Sequence, residues 1–297
     1  MILFILNSSS GNGECDEVKA LIDERFAALG AEARIVLATT GAEMEWATRG
    51  GITAGAEAVV AGGGDGTIST VAGILAGSDV PLGVLPMGTL NHFAKDLGIP
   101  LKPAEALEVV LAGVEEAVDV AEVNGRLFLN NSSVGLYARI VRLRQRYEAR
   151  GVAKWFVAAW AMLKVMEHNP VFTVRIGANG ESTSYRSTMV MVGNNAYRMR
   201  GLDAGARDSL TGGALAVYVV QSEGKLALAR LVWRIVTGRA EEGSELEVYH
   251  VPDVTVETGE AAGPVTRDGE VEEMKMPLTY RIRTEALTVV VPEHGER

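Results

Sequence analysis

The sequence predicts two domains of different fold class, an N-terminal α/β domain with a parallel sheet and a mainly antiparallel C-terminal β-sandwich. Apolar runs alternate with helix-like segments over the first 115 residues, which is typical of a parallel sheet covered on both faces. After residue 116, the Asn-Gly dipeptides at 124–125 and 179–180 separate strand-like runs, a strong signal for β-hairpins. We place the boundary near Val118, with domains at 1–117 and 118–297.

The first domain is predicted to alternate strands and helices in a regular order. The predicted strands lie at 2–6, 33–38, 56–61 and 80–86, and the predicted helices at 15–29, 41–56, 70–76 and 103–113. Ligands of parallel sheets bind at the carboxyl ends of the strands. We therefore expect the functional residues of this domain in the loops that follow its strands.

The second domain is predicted to consist mostly of antiparallel strands. Its predicted hairpins span 118–130 and 171–193, and further strands are predicted at 214–220, 253–258, 277–283 and 286–292. Two helical stretches, at about 136–149 and 153–167, interrupt these strands.

Composition limits the classes of partner and compartment. The chain has 28 basic and 38 acidic residues and a formal net charge of −10, which argues against nucleic acid because phosphate backbones require a basic face. The single cysteine, Cys15, cannot form an internal disulfide and fits a reducing compartment, the cytoplasm. The most apolar stretch, WFVAAWAML at 155–163, is too short for a membrane-spanning helix, which needs ~20 residues.

A glycine-rich loop follows the third predicted strand, in EAVVAGGGDGTISTVAG at 57–73. Glycines at a strand-to-helix turn allow backbone N–H groups to approach a phosphate. The loop lacks the P-loop lysine, and Thr67 stands where the dinucleotide fingerprint has its third glycine. We interpret it as another kind of phosphate cradle, in which Asp65 handles Mg²⁺, binds a ribose or orients a reacting hydroxyl. The alternative is a tight turn with an Asp N-cap, since glycine-rich turns are common.

Two further loops occupy the same predicted edge of the sheet. NSSSGNG at 7–13 follows the first strand, and its composition suits an anion-binding nest. PMGTLNHFAKDLGIP at 86–100 follows the fourth strand and carries the donors Thr89 and Asn91. Three such loops at the carboxyl ends of three strands predict one nucleotide site.

The glycine loop and LGVLPMGTLNHFAKDLGIP at 82–100 resemble the diacylglycerol kinase-like lipid kinase family, in its soluble bacterial branch. The resemblance extends over about residues 2–291 and includes the opening Asn-Pro-x-Ser-Gly turn and the closing Asp-Gly-Glu turn of the family. It implies the fold shared by NAD kinases and diacylglycerol kinases. It also implies ATP and Mg²⁺ as cofactors, with transfer of the γ-phosphate to a lipid hydroxyl such as that of diacylglycerol.

The resemblance also implies the site residues. Glu270 is the first choice for the catalytic base, followed by Asp268 in the same turn and by Asp65. The implied nucleotide contacts are Asn7, Ser10, Gly11, Thr39, Gly63, Gly64, Asp65, Gly66, Thr67 and Thr89. Taken by itself, Asp268-Gly269 is foremost a hairpin turn.

The chain departs from the family pattern at several positions. Ser8 replaces a proline, Ser69 and Thr70 replace an Asn-Glu pair, and His92 replaces an aspartate. The family also carries acids near the positions of Gly212 and Ala216 that help to hold a structural Mg²⁺. Those carboxylates are absent here, although Asp208 remains. We therefore assign no metal ligands from the sequence.

A basic stripe offers a route to the membrane. Arg139, Arg142, Arg146 and Arg150 share one helical face in RIVRLRQRYEAR at 139–150, and the apolar segment at 155–163 follows. Together they predict peripheral association with an anionic membrane surface. The alternative is a solvated arginine face beside a buried helix.

The most favoured function is an ATP-dependent kinase of a lipid alcohol, and two alternatives stay open. A NAD kinase shares the loop and the fold, but its Asn-acid pair is missing, because Asn194-Asn195 precedes Ala196 and Asn130-Asn131 precedes Ser132. A catalytically silent lipid- or nucleotide-binding protein is favoured by the acids missing from 208–218. The sequence specifies neither the acceptor lipid nor the oligomeric state.

Overall fold

A computed structural model describes residues 1–9, 14–139, 141–142, 171–198, 207, 209–221, 230, 234 and 246–293. The chain divides into two compact units. Unit 1 comprises Met1–Val120 and Thr284–Arg297, and unit 2 comprises Ala121–Arg283. The chain leaves unit 1 within one long strand and returns within another. The division expected from the sequence, 1–117 and 118–297, did not include this return of the C-terminal strand.

Unit 1 contains a parallel sheet with helices between its strands. Its strands are β1 (Ile2–Asn7), β2 (Ala33–Ala38), β3 (Ala58–Gly63), β4 (Leu82–Pro86), the first part of β5 (Val114–Val123) and the last part of β16 (Leu278–Val291). Its helices are α1 (Glu14–Leu29), α2 (Gly41–Thr53), α3 (Asp65–Leu75), α4 (His92–Asp96) and α5 (Pro103–Ala112). The strand order is β2-β1-β3-β4-β16, with every one of these pairings parallel. This confirms the predicted α/β class.

The core of unit 1 follows from continuous apolar runs in its strands. Every residue of β3 and β4 is buried, as expected for strands covered on both faces. On β1, Phe4 stacks edge-on against Phe26 of α1, with ring centroids 5.4 Å apart. The buried side chains of α3 include Ile68, Val71 and Leu75. This core fixes the ends of β1, β3 and β4, from which the candidate site projects.

Unit 2 contains two antiparallel layers. The remaining strands are β6 (Arg126–Phe128), β7 (Asn131–Gly135), β8 (Phe172–Ala178), β9 (Glu181–Ser187), β10 (Met189–Asn194), β11 (Leu215–Val220), β12 (Leu246–Val251), β13 (Asp253–Thr258), β14 (Ala262–Arg267) and β15 (Glu270–Lys275). One layer has the order β12-β11-β10-β7-β14-β15, and the other has β16-β13-β8-β9 with the β5–β6 hairpin. Side chains of both layers form one buried cluster that includes Phe128, Val192, Val217, Val256 and Tyr280. The predicted β-sandwich is thus confirmed.

Three two-residue turns join neighbouring strands of unit 2. Asn124-Gly125, Asn179-Gly180 and Asp268-Gly269 all have positive φ at both residues. Positive φ at both central residues defines the hairpin turn that Asn-Gly and Asp-Gly favour. The two Asn-Gly hairpins were predicted and are confirmed.

Some element bounds differ from those predicted. α3 begins at Asp65 and not near residue 70, and α4 was not predicted. The two strands predicted at 277–283 and 286–292 form the single strand β16. Of the helix predicted at about 136–149, residues 136–139 and 141–142 are helical. The rest of that helix and the helix predicted at about 153–167 lie outside the described residues.

Candidate functional site

Three loops of unit 1 meet at the carboxyl edge of its parallel sheet. β1 ends at Asn7, β3 at Gly63 and β4 at Pro86. The Asn7 side-chain amide donates a hydrogen bond to Thr67 Oγ1 at 2.9 Å, which joins the first loop to the second. The Met87 N–H donates to the Gly63 carbonyl at 2.9 Å, which joins the third loop to the second. The edge thus gathers all three loops singled out in the sequence.

Two glycines allow the second and third loops to approach closely. A Cβ atom on Gly88 would lie 2.5 Å from the Cα atom of Gly64 and 2.8 Å from Asn91 Oδ1. A Cβ atom on Gly63 would overlap the Thr67 side chain. Neither position has room for a side chain, so the close packing of these two loops depends on glycine at both.

The N-terminus of α3 presents backbone N–H groups at this edge. Its N-cap residue, Gly64, has extended backbone angles and provides no side-chain cap. The first N–H groups of a helix have no partner within the helix, and the helix dipole favours negative charge there. Residues 65–67 therefore form a site suited to phosphate oxygens. Gly63 and Gly64 directly precede this helix start, and Gly66 and Thr67 lie within it. Their role as nucleotide contacts stays a prediction.

Asp65 joins the glycine loop to α4. Its Oδ1 atom accepts a hydrogen bond from the Phe93 N–H at 3.1 Å, and its side chain is half-buried. This carboxylate is therefore not the N-cap of its own helix, which is Gly64. It supplies to the short helix α4 the acceptor that the N-cap Asn91 does not provide, since the Asn91 side chain bonds to the Gly88 backbone instead.

Thr67 is oriented by its contact with Asn7. Because Thr67 Oγ1 accepts the Asn7 amide hydrogen, its own hydroxyl proton can be directed to another acceptor, such as a phosphate oxygen. Asn7 Oδ1 also accepts the Ser9 N–H at 2.9 Å, which shapes the start of the first loop. Ser10 and Gly11, also implied as nucleotide contacts, lie outside the described residues.

Thr39 and Thr89 lie in exposed loops after β2 and β4. The Thr39 N–H and hydroxyl both donate to Glu43 Oε2, at 2.7 and 2.9 Å, within the capping box of α2. The Thr39 N–H, its hydroxyl and the Thr40 N–H hold the pKa of the Glu43 carboxyl below its usual range. The loop after β2 is therefore ordered by Glu43, which the sequence reasoning did not single out although the capping-box spacing is visible in it.

The Asp268 carboxylate of unit 2 is bound to the backbone before β7. Its oxygens accept the N–H groups of Leu129, Asn130 and Asn131 at 2.9, 2.8 and 3.3 Å. The Asp268 N–H donates to the Asn131 carbonyl at 2.9 Å. Glu270, two residues further on, is exposed at the start of β15. The two acids of this turn thus differ in role, because one anchors the turn and the other faces solvent.

The carbonyl side of the same backbone segment contacts Arg207, which is 7% exposed. Arg207 Nη1 donates to the Leu129 carbonyl at 2.6 Å, and Nη2 donates to Asn130 Oδ1 at 3.1 Å. Asn194 Nδ2 also donates to the Leu129 carbonyl, at 2.9 Å. The sequence reasoning missed Arg207, and no local pattern marks it, because its partners are distant along the chain.

The described residues contain no cluster of protein ligands for a metal ion, but they do contain a carboxylate suited to Mg²⁺ that accompanies a nucleotide. No cluster of three His, Cys, Asp or Glu side chains occurs among them. Residues 207 and 209–221 also contain no carboxylate, and Asp208 lies outside the described residues. Mg²⁺ that accompanies a nucleotide binds mainly phosphate and water oxygens with one or two carboxylates. Asp65, beside the N-terminus of α3, fits this second kind of site.

Comparison with known proteins identifies the family. Residues 1–123 match the model of the diacylglycerol kinase catalytic domain. Residues 130–291, more than half of the chain, match the YegS C-terminal NAD kinase beta sandwich-like domain. This chain belongs to the diacylglycerol kinase-like family of lipid kinases.

Relatives within this family are named lipid kinases. A YegS-like lipid kinase of Chromohalobacter salexigens is 30% identical over 73% of this chain and 70% of its own length. A diacylglycerol kinase of Mycobacterium tuberculosis is 28% identical over 82% of this chain and 80% of its own. A YegS-like lipid kinase of Pseudomonas fluorescens is 36% identical, but the match spans only 46% of either chain.

The fold is shared with solved structures. A Bacillus anthracis protein described as a diacylglycerol kinase superposes with a TM-score of 0.73, over 98% of this chain and 96% of that one. At 21% identity this likeness concerns the fold alone. Among the helices of the described residues, none has the length and apolar character that a membrane crossing requires.

Proposed function

We propose that this protein is an ATP-dependent lipid kinase, which transfers the γ-phosphate of ATP to the hydroxyl group of a lipid alcohol such as diacylglycerol. The observation that carries the proposal is the convergence of three loops on the uncapped N-terminus of α3, in a chain of the lipid kinase family. Phosphoryl transfer depends mainly on positioning and on stabilising the charge of the transferred group. The arrangement supports both requirements.

In this proposal, the nucleotide contacts the first, second and third loops and the loop after β2. Its partners are Asn7, Ser10, Gly11, Thr39, Gly63, Gly64, Asp65, Gly66, Thr67 and Thr89. The N–H groups of residues 65–67 bind phosphate oxygens, and the Thr67 hydroxyl donates to another of them. Asp65 would hold Mg²⁺, which would supply positive charge to the phosphates in place of the absent P-loop lysine.

In this proposal, the two acids of the Asp268-Gly269-Glu270 turn have different roles. The oxygen of the lipid hydroxyl forms a bond to the γ-phosphorus, and Glu270 accepts the proton of that hydroxyl. The bond between the γ-phosphorus and the oxygen that bridges it to the β-phosphate breaks, which releases ADP. Asp268 holds the turn in place, because its carboxylate already accepts three backbone N–H groups. Of the two carboxylates, the exposed Glu270 is the more accessible to an incoming substrate.

A cavity within unit 2 supports a substrate with apolar chains. Its volume is about 380 Å³, within the usual range for ligand sites. Apolar side chains of Val134, Phe172, Pro264 and Met276 contribute to its wall. A cytoplasmic enzyme with such a substrate has to work at a membrane surface. We therefore propose peripheral membrane association.

The proposal is tested by transfer of labelled γ-phosphate from ATP to a panel of lipid alcohols in mixed micelles, with NAD in the same panel. The panel contains diacylglycerols of several chain lengths, a sphingoid base and a monoacylglycerol. We expect label on at least one lipid and none on NAD. Label on NAD alone would establish the NAD kinase alternative.

The second candidate is a catalytically silent nucleotide- or lipid-binding protein. It is favoured by the acids missing near Gly212 and Ala216, where the family resemblance implies ligands of a structural Mg²⁺, although Asp208 remains. ATP binding in calorimetry, together with no label on any acceptor at any Mg²⁺ concentration, would select this candidate.

A further inference from the structure

A single peptide group of unit 2 connects a buried cation to the acid of the Asp268-Gly269 turn. The Leu129 carbonyl accepts a hydrogen bond from Arg207 Nη1 at 2.6 Å. The N–H of the same peptide group, that of Asn130, donates to Asp268 Oδ1 at 2.8 Å. The guanidinium and the carboxylate therefore contact opposite ends of one peptide dipole. Each charge favours the orientation of the peptide that the other requires.

Arg207 is suited to this position by its planar group of donors. Its Nη1 atom also reaches the Asn194 carbonyl at 3.2 Å, and its Nη2 atom reaches Asn130 Oδ1 at 3.1 Å. Its guanidinium carbon lies 5.9 Å from the centre of the Tyr197 ring, within the range of a cation–π contact. Lysine has one compact ammonium group and cannot reproduce this fork.

The connection reaches the residue proposed as the catalytic base. Asp268 is fixed by four hydrogen bonds to residues 129–131, three through its carboxylate and one through its N–H. Only Gly269 separates Asp268 from Glu270. The position of the Glu270 backbone therefore depends on the placement of residues 129–131. A displacement of about 1 Å at a reacting group can reduce the rate about 10²-fold.

We propose that Arg207 is a positioning residue for the Asp268-Gly269-Glu270 turn and acts through the backbone of residues 129–131. The expected effect on catalysis rests on the proposed function, whereas the expected effect of Arg207 on the placement of the turn does not. It holds the carbonyl side of the segment whose N–H side holds Asp268.

The test compares Arg207→Lys with Arg175→Lys in the full chain. Arg175 is a matched control, since it lies in the same unit and is largely exposed. Its Nη1 atom lies 3.6 Å from Glu257 Oε2, which is a long and exposed ion pair. Hydrogen–deuterium exchange is measured for peptides that contain residues 129–131 and 268–270. We expect exchange at both segments to accelerate about tenfold or more in Arg207→Lys, as local opening becomes easier. Arg175→Lys should match the unaltered protein.

Kinetics supply the second readout. In Arg207→Lys, kcat on the best lipid acceptor should fall about 10- to 100-fold. KM for ATP and ATP affinity should stay within about twofold, because the partners of Arg207 described above all belong to unit 2. In Arg207→Ala, added guanidinium at low millimolar concentration should restore part of kcat, and ammonium should not. Asn130→Ala, which removes only one acceptor of Arg207, should show a smaller effect of the same kind and serves if the Arg207 variants fold poorly.

Two results would overturn the inference. One is unchanged exchange at residues 129–131 and 268–270 in Arg207→Lys. The other is accelerated exchange with an unchanged kcat, which would confine Arg207 to a structural role. If the unaltered protein phosphorylates no acceptor, the proposed function fails, and the exchange data still decide whether Arg207 holds the turn.

Discussion

The Asp65 carboxylate accepts the backbone N–H of Phe93 at 3.1 Å, so an acid of the glycine loop holds the start of α4. If the glycine loop binds phosphate as proposed, this contact explains how the loop tolerates a negative charge. One carboxylate oxygen is bound by a neighbouring N–H, and the other side of the group is left for a metal ion or a ribose. Asp65 therefore links two loops and also supplies a negative charge to the proposed nucleotide site.

The first prediction separates these two roles of Asp65. Asp65→Asn keeps an oxygen that can accept the Phe93 N–H but removes the charge, whereas Asp65→Ala removes both. We expect Asp65→Asn to lower turnover by about 10²-fold or more, as for loss of a positioned catalytic group, with little change in the unfolding midpoint. Asp65→Ala should lower the midpoint as well. Full activity of Asp65→Asn in the labelled-ATP assay would restrict Asp65 to its structural link.

The second prediction concerns the close approach of the second and third loops. A Cβ atom on Gly88 would lie 2.5 Å from Gly64 Cα, so Gly88→Ala must push the loops apart, at a cost of about 1–3 kcal/mol for overpacking. We expect weaker ATP binding by calorimetry and a lower unfolding midpoint. Gly73→Ala on the exposed face of α3 is the control, since nothing lies within 4 Å of its Cβ position.

The control itself has a defined expectation. Alanine is favoured over glycine within a helix by up to about 1 kcal/mol, so Gly73→Ala should raise the unfolding midpoint and leave ATP affinity unchanged. Equal ATP affinity of Gly88→Ala and the unaltered protein would show that the two loops need not touch for nucleotide binding.

Local signals predicted much of the fold because they act over short stretches. Asn124-Gly125 and Asn179-Gly180 specify their turns by their own tolerance of positive φ. The buried strands β3 and β4 are apparent from their unbroken apolar runs. The start of α3 was missed, because residues 62–66 contain four glycines with low helix propensity. Their helical start at Asp65 depends on contacts with the loops after β1 and β4, which no local pattern records.

The loops of the candidate site could be predicted from the sequence, but the residues that hold its backbone in place could not. The family motifs point to Asp65, Thr67 and Glu270 directly. Arg207 contacts residues that are 77, 78 and 13 positions away along the chain. Such a contact exists only after β7 and β10 have paired, so the sequence carries no local sign of it.

The third prediction concerns membrane association through the basic stripe. Arg142 Nη1 lies 3.3 Å from Glu273 Oε2, and both side chains are about half exposed. Arg146 and Arg150 lie outside the described residues. Arg142→Glu should weaken binding to anionic vesicles by about 1 kcal/mol for the lost basic charge, plus the repulsion between the introduced carboxylate and the anionic surface. Glu273→Gln removes the negative charge beside Arg142 and should therefore strengthen binding to anionic vesicles. The fold should lose little stability, since the ion pair is exposed.

Vesicle sedimentation at low salt measures this third prediction. Turnover on a short, water-soluble acceptor should survive in both variants, which separates membrane binding from catalysis. If Arg142→Glu, Glu273→Gln and the unaltered protein bind vesicles equally, the arginine stripe is a solvated surface and does not bind the membrane.

The last prediction distinguishes the two acids that flank Gly269. Glu270 is exposed, so Glu270→Gln should leave the unfolding midpoint and ATP affinity unchanged while lipid phosphorylation falls by about 10²–10⁴-fold, the range for a general base. Asp268→Asn places an amide where three N–H groups need acceptors. It should therefore also lower stability, by about 1–3 kcal/mol. The measurement pairs nucleotide titration with initial rates and thermal unfolding for each variant. If Glu270→Gln keeps a near-normal rate while Asp268→Asn loses activity without loss of stability, the proton goes to Asp268, and the anchoring role assigned to that carboxylate is wrong.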